Sequence, residues 1–569
     1  MEIHLRDFAH LVEGDDWTLA LREALHQCKL HPGSALHLDG GRKHFRKKYA
    51  AEHEYYINTN DIEAGHKFIV FPIIGFDGLT IDGDGAELLF HGTINPFVID
   101  HSNNITLRNF TVDYEHPFYL QGKIVDADEH HCEIEYDTSV YEITPGEDCI
   151  TFGWTADDWT FEVERMLTLE FEADKGVPIS TQAEYFLCFP TAPKDDSLSG
   201  MNRYVKASIP APGRLLLKGE IGFRHTVGNI LVSTWNWRYN PAVFATDSRD
   251  ILIQDVTLYH TSAMGFIGQV CHNITMERFN MVARPGSGRC MSVCADATHF
   301  VSCSGILRYE SCRFLNMMDD AGNIHGLYTP YVRNIDDHTL LLRFKHLLQA
   351  GLNNQFTPGD KVEIVDTSTM QPVAELTVKS SELFTNNAIR LELEEKLPPM
   401  HDNYVVDNIT KMPEVYINNC ETGDNRPIGF RLRSRKHTEV TNCLFHTMSY
   451  ALLVSGDTYW GNESGPSKDV VIRNNRFVNA AYASGCAICI STNPNLVGNI
   501  PYHSNILIED NYFELQDKRF LEAESAENLV MRNNTYHLNP ELPAHGRTGE
   551  DGIIVKNCPN SQIEPPREV

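Results

Sequence analysis

A short pattern recurs along this chain and leaves few folds open to it. A run of β-branched and aliphatic residues is followed by Asn or Asp and then by an aromatic or aliphatic residue, as in 105–112, 251–258 and 274–281, and further copies begin at Val415, Thr438, Val470, Ile506 and Leu529. Where nothing is inserted, successive copies (Ile251 and Ile274, Val415 and Thr438, Ile506 and Leu529) start 23 residues apart. That period is too short for repeats built of helix pairs and lacks the leucine and asparagine signature of leucine-rich repeats, but it suits one coil of a right-handed parallel β-helix. Equivalent positions then stack at roughly 4.8 Å. Cys420 falls over Cys443, and Asn475, Asn511 and Asn534 form a column in the register of Phe279, where stacked amides pair along the axis as structural ladders. A solenoid lengthens coil by coil, which is how 569 residues fit one architecture.

Two stretches break the rhythm. Residues 113–240 and 327–413 change to longer alternating strands joined by turn residues such as Pro358, Gly359 and Asp360, the pattern of small antiparallel β-barrels inserted between coils. The expected order is a cap and first coils over 1–112, a barrel over 113–240, coils over 241–326, a second barrel over 327–413 and closing coils over 414–569. Residues 16–28 have helical periodicity and would cover the open first coil, which otherwise presents an aggregation-prone edge.

The balance of 48 Lys and Arg against 77 Asp and Glu gives a formal charge of −29. Nucleic acid and acidic polysaccharides are repelled by such a field, whereas a neutral glycan is not. The first residues carry no charged and apolar leader, and no stretch approaches a membrane span. The expectation is therefore a protein of the cytoplasm, with no membrane or nucleic-acid partner, unless a leader has been trimmed; an oligomer stays open. The 14 Cys lie mostly in apolar strands, where the reduced side chain packs as a small hydrophobe.

The chemistry is placed at Asp296 and at the pair Asp319 and Asp320, one coil further on. Three carboxylates gathered on one face cannot all ionise cheaply, so one should hold a proton and serve as an acid while its neighbours activate water. Adjacent residues of a regular strand point to opposite faces, so Ala321-Gly322-Asn323 should supply a bend, and the splay should let the carboxyls reach the roughly 6.5–9.5 Å of an inverting glycosidase. Spacing alone also fits a solvated turn or a calcium site, and His299 and His325 taken singly fit structural roles.

Around these residues the sequence resembles glycoside hydrolase family 110, the inverting exo-acting α-1,3-galactosidases, some of which remove the terminal galactose of the blood group B antigen. The likeness runs through Glu54–Ile57, Gly83–Leu88 with Phe90–Gly92, Ala263–Phe266, Ala295–Phe300, Met317–Asp320 with His325 and Gly326, Ser455–Asp457 with Trp460 and Glu463, and Val471–Ala480. The resemblance implies a β-helix with two β-barrel insertions, no cofactor or metal, and catalysis by Asp296, Asp319 and Asp320. The arrangement is also similar to that of the polygalacturonases, which makes Asp319 the acid and Asp296 and Asp320 the bases, with exchange of Asp319 and Asp320 left open. Arg289, Asn323, His325, Asp457, Trp460 and Glu463 are the candidates for holding the sugar, although Trp460 fits a core aromatic equally well. The stretches 233–239, 284–289 and 431–435 depart from the family pattern, which leaves the aglycone open. The alternatives are another β-helical carbohydrate-active enzyme, either an exo-glycosidase of different specificity or a polysaccharide lyase, and a non-catalytic glycan-binding β-helix like a phage tail spike.

Overall fold

The structure, a computed structural model, describes residues 1–569 apart from 61–64, 147, 180–183, 193–199, 236–237, 353, 459–460, 494–495, 497, 541 and 545–551. The repeat is a physical column. Ile105, Ile251, Ile274, Val415, Thr438, Val470, Ile506 and Leu529 stand in register on successive parallel strands, and Leu79 and Leu307 belong to the same column. Nearly all connections between parallel strands are right-handed, which is the hand expected of such a coil.

The Asn or Asp of the pattern makes the corner. Four residues after each start, Asn109, Asp255, Arg278, Ser311, Asn419, Asn442, Asn474, Asp510 and Asn533 all take the left-handed conformation, with φ between 48° and 61°. Asn and Asp reach that region at the smallest steric cost of any side chain but glycine, which is why they recur where the coil turns from one strand to the next. The following position points inward. There Asn475 N and Nδ2 donate to Asn511 Oδ1 at 2.9 and 3.1 Å, and Asn511 N and Nδ2 donate to Asn534 Oδ1 at 2.9 and 3.0 Å. Beside this ladder Phe445, Phe477 and Phe513 stack at 5.1 and 4.8 Å, close to the rung spacing. The helix Thr18–Leu30 buries Leu21, Ala24, Leu25 and Cys28 against the first coils and so covers their open end.

Both insertions are closed β-barrels that leave the stack of coils intact. Strand Asn103–Tyr114 pairs directly with Arg249–Leu258, and Ser304–Glu310 with Pro413–Asn418, so the chain departs and returns between adjacent rungs. The first barrel has seven strands, from Leu120–Ala127 to Ile230–Thr234, closed where Arg165–Glu172 pairs with Ile230–Thr234. It is not wholly antiparallel as expected, because Tyr185–Cys188 runs parallel to Asn202–Ala211. Alternation along a strand reports that one face is buried, not which way its neighbour runs. The second barrel has six strands, from Thr329–Asn334 to Tyr404–Asn408, around its own core of Leu340, Leu342, Val362, Ile364 and Leu391.

Candidate active site

The aspartates sit where the coils enter a second parallel sheet. Asp296 lies two residues before strand Thr298–Val301 and Asp320 two residues before Gly322–Leu327. Those strands pair with Thr298 opposite Gly322, and Ala297 N donates to the Asp320 carbonyl at 2.8 Å, so Asp296 stacks on Asp320 and Asp319 stands beside them. One carboxylate oxygen of each lies within 4.8 Å of the other two. The bend that swings Asp319 and Asp320 to the same side falls at 318–321, ahead of the expected Ala321-Gly322-Asn323, since Gly322 and Asn323 are already in the strand. Gly322 is there for packing: a Cβ would come within 2.5 Å of the Phe430 ring on the next rung. The nearest carboxyl oxygens are also closer than the roughly 6.5–9.5 Å typical of paired inverting carboxyls, so the expected splay is not seen.

Arginines answer the crowding. Arg238 donates to Asp319 Oδ2, Arg426 approaches Asp319 Oδ1 at 3.6 Å, and Arg431 Nε lies 2.5 Å from Asp320 Oδ2. Arg426 is itself held by Glu184 of the first barrel. These partners separate the three acids. Burial alone would raise Asp296, but the hydrogen bond and charge of His299, together with Arg238 and Arg431, hold it below the usual carboxylate range. Burial and the charge of Asp296 push Asp319 up to about 6 against the pull of the same arginines. Burial drives Asp320 up as well, against Arg431, and Asp320 Oδ1 is buried without a hydrogen-bond partner among the described residues. A calcium ion placed among the three would face Arg238 and Arg431 at contact distance, an unfavourable set of neighbours for a dication.

The candidates for holding the sugar divide. Asn323, His325 and Glu463 lie beside the aspartates: Asn323 is in register with His299 on one side and Arg431 on the other. Strand Glu463–Ser464 pairs antiparallel with Gly326 and Leu327. Asn323 Nδ2 donates to Glu463 Oε1 at 3.3 Å and its Oδ1 accepts from Arg433 at 2.8 Å, while Arg433 contacts Glu463 Oε2 at 2.5 Å and holds its carboxyl far below the ordinary range despite burial. Both nitrogens of His325 are engaged inside the protein, with the Gly326 carbonyl and His299. Asp457 accepts from Gly461 N at 3.0 Å and its own N donates to the Glu463 carbonyl at 3.1 Å, so it shapes the loop that delivers Glu463. Arg289 does not join them, because its guanidinium is paired with Asp113 at 2.6 Å. Trp460 lies outside the described residues.

Sequence reasoning placed Arg238, Arg431 and Arg433 only within stretches that line the groove and bear on the aglycone, gave Arg426 no role, set none of them beside the aspartates, and took His299 as structural. A signal existed for two of them: Arg431 and Arg433 alternate along strand Phe430–Leu432 and the residue that follows it, and so share a face. For Arg238, the departure of 233–239 from the family pattern marked the stretch, but nothing in it pointed to Asp319, 81 residues on.

A family model described as GLAA-B beta-barrel domain II matches residues 339–402, within the second barrel. The chain is 30% identical over 553 residues to alpha-1,3-galactosidase B of Bacteroides thetaiotaomicron, covering 95% of this chain and 86% of that protein. It is 31% identical over 539 residues to alpha-1,3-galactosidase A of Shewanella woodyi, covering 93% and 84%. Among solved structures, the A-module of the mannuronan C-5 epimerase AlgE6 of Azotobacter vinelandii is similar at 10% identity and a TM-score of 0.38, covering 99% of this chain and 100% of that one. With three grouped aspartates in place and likeness along nearly its whole length to proteins of this name, the chain belongs to the α-1,3-galactosidase family, glycoside hydrolase family 110.

Proposed function

We propose that this protein is an exo-acting glycoside hydrolase that releases terminal α-1,3-linked galactose with inversion. The observation that carries the reading is the convergence of Asp296, Asp319 and Asp320, with an oxygen of each inside 4.8 Å, in a chain whose relatives are named alpha-1,3-galactosidases. Asp319 is the acid. Its carboxyl is pushed up to about 6, so it holds a proton in mildly acidic solution and loses it readily. At 17% exposure against 4% for the other two carboxyls, it is also the one that reaches an incoming glycosidic oxygen.

Asp296 and Asp320 form the floor and hold the water. A water molecule in hydrogen bonds of about 2.7–2.8 Å with two carboxyl groups spans oxygens roughly 4.4 Å apart, which suits the close approach of this pair. Asp296 is the ionised member and takes the water proton, while the unpartnered Oδ1 of Asp320 orients the water. As the bond from C1 to the leaving oxygen breaks, Asp319 delivers its proton to that oxygen and the water oxygen bonds C1 from the opposite face. Glu463 and Arg431 offer an acceptor and a donor to the sugar hydroxyls.

The test uses an α-1,3-linked galactose disaccharide. Asp296→Asn and Asp319→Asn should each lower galactose release by at least about a thousandfold with an unchanged melting temperature, and proton NMR should show β-galactose first. Activity retained in both variants removes the assignment, and α-galactose as first product removes inversion.

A further inference from the structure

A crowded trio of carboxylates works only if the same member is ionised each time, and a buried chain of hydrogen bonds behind Asp296 supplies that choice. His325 Nδ1 lies 2.5 Å from the Gly326 carbonyl oxygen, an atom that can only accept, so Nδ1 carries a hydrogen and donates it. Burial lowers the His325 imidazole to about 4, so the ring is neutral and its Nε2 presents a lone pair. His299 Nε2 stands 3.0 Å from that lone pair and must donate to it. One proton remains to be placed, between His299 Nδ1 and Asp296 Oδ2, which are 2.6 Å apart. Two lone pairs do not approach that closely, so a proton lies between them, and because Asp296 is held below the usual carboxylate range that proton is assigned to the nitrogen side, which makes the contact a cation donating to a carboxylate. His299 and His325 are 1% and 2% exposed, so water does not replace either contact.

We infer that His299 is a positioning residue for the hydrolysis: with its Nε2 hydrogen locked by His325, it stands as the cation that keeps Asp296 ionised and aims its free oxygen at the water. The inference rests on the proposed role of Asp296 as base. His299 itself faces Asp296 and His325 directly, with the charges of Asp319, Glu463, Arg431 and Arg433 around it. Of these, Asp319 is turned to Arg238 and Glu463 to Arg433, which leaves Asp296 as the carboxylate that His299 contacts.

The sign of the effect follows. If Asp296 must be ionised, kcat/KM falls as pH drops through its pKa, and removing the cation raises that pKa. His299→Gln keeps a donor without the charge, so the acidic limb of kcat/KM against pH should move up by about one to three pH units, with KM on the plateau within about twofold. His325→Phe, which removes the acceptor that locks the tautomer, should move the limb in the same direction by less. A merely structural role would lower kcat at every pH and leave the limb in place, and that result overturns the inference. Asp296→Asn is measured alongside. If it is inactive while the limb of His299→Gln is unmoved, only the role of His299 falls; if it is active, the assignment of the base falls. Should either histidine variant fail to fold, NMR of the unmutated enzyme labelled with 15N-histidine decides: both His299 nitrogens protonated at pH 7 sustain the inference and a neutral ring ends it.

Discussion

Replacing Arg238 by Gln should make the enzyme work at higher pH. The guanidinium donates to Asp319 Oδ2 and pulls down a carboxyl that burial and Asp296 have pushed up to about 6. As the acid, Asp319 must carry its proton, so kcat/KM falls as pH rises through that value, and loss of the arginine charge raises it. Unit charges about 4 Å apart interact by about 4 kcal/mol at an effective dielectric of 20. At about 1.4 kcal/mol per pH unit, the ceiling is roughly three units. The two side chains are 22% and 17% exposed, and Arg426 stands 3.6 Å from the other oxygen of Asp319, so water and the second arginine should halve the effect. The alkaline limb of kcat/KM should therefore move up by about one to two pH units, read from galactose release coupled to galactose dehydrogenase. Arg238→Lys, which restores the charge, should bring it most of the way back. An alkaline limb that stays in place or moves down would refute Asp319 as the acid under the control of Arg238.

Two further outcomes concern the fold. Asn511→Ala strips the acceptor from Asn475 N and the donor from the Ile472 carbonyl, so it should lower stability by about 2–3 kcal/mol in urea unfolding while leaving kcat within about twofold; an unchanged midpoint would mean the ladder is decorative. His446, whose imidazole burial alone would lower, is raised to about 9 by Asp424 and Glu421, at 3.2 and 3.4 Å. Its stabilisation is complete below the unfolded value of about 6.5 and is lost as pH climbs through about 9, so the melting temperature should slope downward across that window, and His446→Gln should flatten the slope.

What could be read in the sequence is what the coil imposes locally. A corner that needs the left-handed region selects Asn or Asp four residues after each copy of the pattern begins, and this fixed offset is why Asn419, Asn442, Asn474 and Asn533 are visible as a repeat. The rung at Leu307 escaped because its corner is Ser311 and its register is shifted against the strand before it. The aspartates were legible by the same rule, since one coil sets their spacing, although the partner of Asp296 in register is Asp320 and the bend falls before Gly322. Their counter-charges were not, because an ion pair leaves no period. Arg238 reaches Asp319 from the chain returning out of the first barrel, and Glu184 within that barrel holds Arg426. Arg431, Arg433 and Arg435 alternate along one side of a strand and its extension, and each meets a different acid: Asp320, Glu463 and Glu363. Three buried carboxylates state a requirement for cations in the sequence itself. Which cations meet it depends in part on where the insertions rejoin the helix, as Arg238, Glu184 and Glu363 show, and this makes the barrels part of the electrostatics of the site.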